Sequence, residues 1–387
     1  MNIAFLVSKW PVDGGIETVT RTLANEMVRR GHYVVIMYTE YLKSDNATFV
    51  DERIIEVLIP GENSHDGAKA SIVHCIEFNK IEVVINQCFP TWSAKVLEDL
   101  RYKIKIIECM HMILFYPSRY NRLGWKGYDL RLRLYGPWLC RYVEKKQRCE
   151  VLEREFPYVD RFVLLSKAYV DEYFQFRGTR LGERVLTYMN NPLTMNAKLS
   201  KSELRDKENI VLCVARMSEI EKRISFLIDV WKEIEHDSRY DDWYFDLVGS
   251  GPSLSMYKER VKIEGIKRIR FYGYQHPDMY YRKSKFFLMS SVAEGWGMTL
   301  VEAQQLGTVP IVLDTFSSLR DIITDGYNGR IVRHRTVKAF VKVLKDVMKD
   351  DCDREKMALN AIETCKRFNV KMIVDKWERL INDIQLP

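Results

Sequence analysis

Nowhere does the chain approach the ~20 consecutive apolar residues that a membrane-spanning helix requires. Its first apolar run, Ile3 to Val7, is too short for the core of a secretion signal, and Lys9-Trp10-Pro11 follows it. The eight cysteines (75, 88, 109, 140, 149, 213, 352, 365) form no C-x-x-C pair and no framework spacing. Reduced thiols in a cytoplasmic protein are expected, at most resting on the inner face of a membrane. Internal repeats and low-complexity tracts are missing too. The glycine pair Gly14-Gly15 is not the G-x-G-x-x-G of a nicotinamide dehydrogenase, which counts against that class. The acidic pair Asp241-Asp242 precedes a strand, on the wrong side of it for a catalytic metal, so no metal and no cofactor are expected.

What is present begins with length. A chain of 387 residues suggests two domains, and neither needs disulfides to bury a core. The net charge is +7. Between Arg119 and Arg148 lie nine cations (Arg119, Arg122, Lys126, Arg131, Arg133, Arg141, Lys145, Lys146, Arg148) and two acids, so one segment carries the whole excess. Aromatics and leucines interleave with them, Tyr120, Trp125, Leu130, Tyr135 and Trp138 among others. Cations mixed with aromatics suit an amphipathic surface lying on anionic lipid. A solvated helix face covering the N-terminal core is the plainer reading. Nucleic acid is not expected, because no recognition motif accompanies the charge.

The pattern along the chain is α/β. Ile3–Val7 is a strand, Asp13-Gly14-Gly15 a turn, and Ile16, Val19, Leu23 and Met27 line one face of a helix ending near Gly31. Further strands are expected at 33–38, 54–59, 81–86, 104–108, 162–165 and 184–189. Asn86-Gln87 and His111 come just after strand ends, where ligands bind in open α/β sheets. A polar stretch, 191–208, reads as a linker. A second set of strands follows at 210–215, 243–248, 268–272, 285–290 and 309–313, with helices near 336–349, 355–368 and 371–384.

One stretch organises the rest. Phe286-Phe287-Leu288-Met289 reads as a buried strand, and Glu294-Gly295-Trp296-Gly297 as the loop after it. Met298 to Leu306 reads as a helix closed by Gly307. Glycines at 295 and 297 let a ligand approach the backbone. The first N–H groups of the helix, at Met298, Thr299 and Leu300, make an anion site. Glu294 and Glu302 flank it, each able to accept paired hydroxyl hydrogen bonds. Carboxylates eight apart are commonplace in a chain with 29 glutamates, so the context carries the weight. Upstream, Arg216 at a strand end and Lys222 six residues later supply two cations suited to a diphosphate.

This arrangement resembles the retaining nucleotide-sugar glycosyltransferases of the GT4 family. The resemblance is strongest over 210–330 and weak over 40–190. It implies a GT-B fold: two doubly wound Rossmann-like domains facing a central cleft, with the C-terminal helix crossing back. The expected divisions are 1–190 for the acceptor domain, 191–208 for the linker, 209–368 for the donor domain and 369–387 for the returning helix, packed through Trp377, Leu380 and Ile381. By the same resemblance Gly14 and Gly15 face the donor diphosphate, and Glu17 and Asn86 the acceptor. His111 contacts the donor sugar and Tyr274 stacks on the base. Arg216 and Lys222 bind the diphosphate, Glu294 the sugar hydroxyls and Glu302 the ribose. The family shows Gly-Arg and then Lys-Gly, where this chain has Ala215-Arg216 and Lys222-Arg223. That leaves Arg223 as a substitute for Lys222. The implied reaction moves a hexose or N-acetylhexosamine from a UDP-sugar to a glycan or polyprenyl-diphosphate-linked acceptor in cell-surface polysaccharide synthesis. Two rival readings are a UDP-sugar epimerase of the same architecture and a non-catalytic binding protein.

Overall fold

A computed structural model describes residues 1–12, 14–42, 49–60, 65–87, 96–115, 128–178, 181–195 and 197–385, and only the backbone course of 65–67, 128–135 and 137. Arg119, Arg122 and Lys126 of the basic segment lie outside the described residues. The chain forms two compact units. One comprises Met1–Phe115, Arg131–Thr194 and the chain from Phe368 onward, and the other Met195–Arg367.

The first unit is a parallel sheet of β1 (Asn2–Trp10), β2 (Tyr33–Tyr41), β3 (Ile55–Leu58), β4 (Val83–Asn86), β5 (Lys105–Met110), β6 (Arg161–Leu164) and β7 (Leu186–Tyr188). The order is β3-β2-β1-β4-β5-β6-β7. Its helices are α1 (Gly15–Arg29), α2 (His65–Phe78), α3 (Tyr128–Glu155) and α4 (Lys167–Arg177). Ile3 to Val7 and Val34 to Met37 are fully enclosed, as strands covered on both faces must be. β2 runs three residues beyond the expected Tyr38 because the long β1 keeps pairing with it, to Trp10 opposite Tyr41.

The second unit repeats the plan with β8 (Glu208–Val214), β9 (Tyr244–Val248), β10 (Ile269–Gly273), β11 (Ser284–Met289), β12 (Val309–Leu313) and β13 (Arg330–Val332), in the order β10-β9-β8-β11-β12-β13. The helices are α5 (Lys201–Arg205), α6 (Glu219–Lys222), α7 (Ile224–Glu235), α8 (Leu254–Ile263), α9 (Asp278–Lys283), α10 (Met298–Gln305), α11 (Leu319–Ile322), α12 (Val337–Met348) and α13 (Asp351–Cys365). Trp231, Phe245, Tyr257, Phe286 and Phe340 anchor one core on the α7 side.

The expected linker is more structured than its polarity suggests. Ser200 caps α5 in a capping box with Glu203, and Leu204 is buried. Lys207 is buried as well. Its ammonium donates to the carbonyls of Tyr281, Arg282 and Ser284 at 2.6, 3.0 and 3.0 Å. Burial holds its pKa well below the usual lysine value.

The last helix, α14 (Val370–Asn382), belongs to the first unit. It buries Ile373, Val374, Trp377 and Ile381, a 3.6-residue stripe, with Leu380 half-buried beside it. Arg30, just past α1, reaches Asp375 at 2.6 Å and Glu378 at 2.9 Å.

Candidate functional site

In doubly wound sheets the strand order reverses at one point, and ligands bind beyond the strand C-termini there. In the second unit that point lies between β8 and β11. A cavity of about 300 Å³ opens beside it, lined by Arg216, Glu221, Lys222, Ser290, Ser291, Glu294 and Thr299 together with the ends of β8 and β11.

Two loops build its walls, and each is fastened. After β8, Ala215 and Met217 donate backbone bonds to the carbonyls of Val248 and Ser250, at 3.1 and 2.9 Å. Gly249 makes this possible. A Cβ there would lie 2.0 Å from the Ala215 carbonyl oxygen, at a φ of +134°. Gly249-Ser250-Gly251 was legible in the sequence as a strand–helix turn, but its role as a brace for Arg216 was not.

The α6 turn is tied to the β11 loop. Val292 N–H donates to the Glu221 carbonyl at 2.8 Å, and Ser290 Oγ donates toward the carbonyls of Lys222 and Arg223, at 2.9 and 3.0 Å. Arg223 sits at φ +51°, ψ +46°, the left-handed region that glycine tolerates best. This gives a physical reason for a glycine where the family has one. Its guanidinium stacks 4.8 Å over the Phe226 ring. Lys222 instead extends to Glu294, Nζ to Oε1 2.6 Å, with both side chains mostly enclosed. Arg223 is therefore not the cation beside Glu294. Arg216 is 62% exposed and pairs with Glu221.

The segment after β11 ends at Gly297, whose φ of +98° starts α10. Leu300 N–H already donates to the Gly297 carbonyl at 3.0 Å, so the helix amides on offer precede it. Trp296 is enclosed, and Ser318 Oγ approaches its carbonyl at 3.4 Å. Whatever Trp296 offers a ligand comes from its main chain. One turn on, Glu302 Oε2 accepts from the hydroxyl of Tyr281 at 3.1 Å. Burial, then the neighbouring Glu302 charge, pushes the Tyr281 phenol well above its ordinary range. No local pattern pointed to Tyr281, which lies 21 residues before Glu302. Tyr274 follows Gly273 at the end of edge strand β10, 55% exposed and not among the residues lining the cavity.

The remaining expected residues lie in the first unit, around its own reversal point between β1 and β4. Gly14 caps α1, and the Glu17 carboxylate folds back into the space that a Cβ on residue 14 would occupy. Burial raises the Glu17 pKa. Asn86 differs from its expected acceptor role in geometry. It is buried, and its amide donates to Glu108 Oε2 at 2.7 Å inside the sheet. The next residue, Gln87, meets His111 instead: the His111 Nε2 lies within hydrogen-bond distance of Gln87 Oε1. Burial lowers the His111 pKa to about 4, so the ring is neutral at pH 7.

A larger cavity in the second unit, about 530 Å³, is lined from the start of β13 and the α12–α13 turn by Tyr327, Arg330, Asp350, Arg354 and Met357, among others. Two of its cations are engaged by acids outside the lining: Arg354 by Asp351 at 3.0 Å and Arg330 by Asp325 at 3.2 Å, and Asp351 also holds Lys285 at 2.9 Å. Asp351-Cys352-Asp353 also has Asp-x-Asp spacing. It forms the first turn of α13, where Asp351 makes these ion pairs and Asp350 caps the helix. Among the described residues no group of three or more His, Cys, Asp or Glu is placed to hold a metal, and no helix is long and apolar enough to cross a membrane.

Two parallel, doubly wound units with a cation-lined cavity at the reversal point of the second define the GT-B class of glycosyltransferase folds. Solved structures agree. Anabaena HepE, crystallised with UDP and glucose, aligns at a TM-score of 0.74 and 15% identity, over 99% of this chain and 100% of that one. TarM aligns at 0.78 and 12% identity, over 99% of both chains. Residues 13–180 match the family described as Glycosyltransferase Family 4, and residues 195–364 match Glycosyl transferases group 1. The chain belongs to the GT4 family of glycosyltransferases. Among characterised relatives, a Campylobacter jejuni α-1,4-N-acetyl-D-galactosaminyltransferase named for a diNAcBac-PP-undecaprenol-linked acceptor is 25% identical over 59% of this chain and 62% of its own. The lipopolysaccharide 1,6-galactosyltransferase of Salmonella typhimurium is 24% identical over 67% of this chain and 68% of its own. These matches span roughly two thirds of each relative.

Proposed function

We propose that the protein transfers a hexose or N-acetylhexosamine from a UDP-sugar, with retention of configuration, to a glycan or lipid-linked acceptor in cell-surface polysaccharide synthesis. The observation that carries this reading is the meeting of Arg216, Lys222, Glu294 and Thr299 around one cavity at the sheet reversal point. Breaking the sugar–phosphate bond puts charge on the leaving diphosphate, which preorganised donors must stabilise. Arg216 and the α10 amides supply fixed donors. Lys222 spends one N–H on Glu294, and an ammonium carries three. Glu294 is thereby oriented for sugar hydroxyls while Lys222 stays aimed at the phosphate. Glu302, steadied by Tyr281, receives the ribose diol. Related structures support UDP: HepE was solved with UDP-glucose and a pneumococcal O-GlcNAc transferase with UDP and GlcNAc. The Campylobacter relative's name supports a lipid-linked acceptor.

A thermal-shift panel of UDP-, GDP-, ADP- and dTDP-sugars, with and without EDTA, tests the donor and the proposed independence from metal. Stabilisation by UDP-sugars that EDTA leaves intact is expected. Silence across the panel contradicts the proposal, and loss of the shift in EDTA contradicts its metal-free part. Mass spectrometry of the products separates transfer from epimerisation or passive binding.

The proposal includes an anionic membrane surface as the acceptor's location. On α3, Trp138 is 79% exposed and Tyr142 stacks beside it, centroids 6.3 Å apart. Arg141 and Lys146 are exposed on the same helix, while Lys145 is drawn over the Phe115 ring at 4.4 Å. Flotation with anionic vesicles should fall when Trp138, Arg141 and Lys146 are changed to serine. Equal flotation of both proteins removes the membrane from the proposal.

A further inference from the structure

The larger cavity of the second unit, about 530 Å³, shares no lining residue with the one at the sheet reversal point. Phe286 and Arg330 line it near the starts of β11 and β13, whereas the smaller cavity lies beyond strand ends. Its volume falls within the roughly 300–1,000 Å³ of small-molecule sites. It plays no part in the sugar transfer proposed above.

Arg354 sets the chemistry of this cavity. The residue belongs to the lining and is only 2% exposed. Its Nε donates to Asp351 Oδ1 at 3.0 Å and its Nη2 to Glu355 Oε1 at 3.4 Å. Its buried Nη1 has no hydrogen-bond partner among the described residues. Asp351 is a weak counter-charge: its side chain is 62% exposed, and it is shared with the largely buried Lys285. Lys207 adds a further buried cation whose charge repels that of Arg354. The Lys207 ammonium donates to three carbonyls and the Thr308 hydroxyl, none of them an acid. Positive charge is therefore in excess on the buried side. A guanidinium with an open N–H calls for an oxyanion, and burial strengthens the pairing.

The rest of the lining narrows the class. Phe286, Val347 and Met357 are apolar and suit an apolar body. Asp346, Asp350 and Asp353 also line the cavity and are exposed. Against them stand one exposed cation, Lys356, and Arg330, which Asp325 already holds at 3.2 Å. An acidic rim repels a phosphate dianion or a polycarboxylate more than a single charge.

We propose that this cavity binds a small monocarboxylate with an apolar body, its carboxylate accepting from Arg354 and its body resting against Phe286, Val347 and Met357. The site is independent of the sugar-transfer reading and would stand if that reading fell.

Methyl spectra of the full chain, ¹³C-labelled at methionine, test this. Met357 reports from inside the cavity, and Met357→Leu identifies its signal. Benzoate, benzamide and inorganic phosphate are titrated at equal ionic strength. Benzoate should move the Met357 methyl to saturation and leave Met298, at the start of α10, in place. Benzamide has the same shape without the charge, so it should bind at least about tenfold more weakly. Phosphate should move nothing. Arg354→Met keeps most of the side-chain volume and should weaken benzoate about tenfold.

A Met357 signal indifferent to benzoate overturns the proposal. So does benzamide or phosphate binding as tightly as benzoate, or an Arg354→Met variant that binds benzoate as the wild type does. The comparison of benzoate with benzamide on the wild-type protein decides the matter even if Arg354→Met does not fold.

Discussion

Arg216, which lines the second-unit cavity, and Glu302, Tyr281 and Arg223, which lie outside its lining, have distinct expected signatures. Glu302→Ala removes the proposed ribose partner and leaves the buried Tyr281 hydroxyl with the Thr299 carbonyl at 3.3 Å, so UDP affinity should fall about tenfold by titration calorimetry. Tyr281→Phe should show a smaller loss in the same direction, because it unsteadies Glu302 without deleting it. Arg216→Ala should leave affinity for the intact UDP-sugar nearly unchanged and lower kcat by about a hundredfold, since the charge it meets develops late. Equal kinetics for wild type and Arg216→Ala would remove it from the site. Arg223 offers a stability test. Arg223→Ala loses the ring contact and keeps the left-handed backbone, for a cost of about 1 kcal/mol, while Arg223→Gly should be near neutral. Urea denaturation of the pair isolates the backbone contribution, which disappears if the two variants coincide.

At the scale of elements, strands and helices were legible because parallel strands covered on both faces read as apolar runs, such as Phe286–Met289 and Val309–Leu313. The helix behind Gly297 was legible from its apolar spacing up to Gly307, while Gly297 itself was read as room for a ligand and its left-handed start at φ +98° was not foreseen. Three things were not. Asn86 sits on the last paired position of β4, opposite Glu108 of β5, and the bond between their side chains follows from a strand register that a run of apolar letters does not reveal. The bracing of Arg216 by Gly249 is a backbone contact between distant loops, and Tyr281 acts on Glu302 from another element. Neither leaves a local pattern. Gly249→Ala should therefore slow turnover much as Arg216→Ala does, by displacing the Ala215 carbonyl. Full activity in that variant would show the brace to be dispensable.

The buried Glu108 gives β5 a pH dependence. Its folded pKa lies well above the unfolded value, so the folded state binds the extra proton. That contribution is complete below the unfolded pKa and is lost as pH rises toward the folded one, at up to about 1.4 kcal/mol per pH unit. Glu108→Gln keeps an acceptor for Asn86 and carries no charge. Its unfolding free energy should therefore exceed that of the wild type by a margin that grows as pH rises above the unfolded carboxylate pKa. A constant margin would mean that Glu108 titrates normally.

For the whole molecule, one fold plan occurs twice, and the chemistry is divided between the copies. The second unit offers cations and helix amides suited to a diphosphate, and two carboxylates suited to hydroxyls. The first offers a neutral histidine and a carboxyl kept partly from water, suited to hydroxyls. The matched families divide at the same place in the chain, residues 13–180 and 195–364. The most direct measurement is a crystal structure of the protein soaked with UDP in EDTA. The diphosphate is expected over the start of α10, within reach of Thr299, Lys222 and Arg216, with the ribose against Glu302. Density for UDP anywhere else on the chain, or none until a divalent metal is added, would contradict the assignment of this cavity as the donor site.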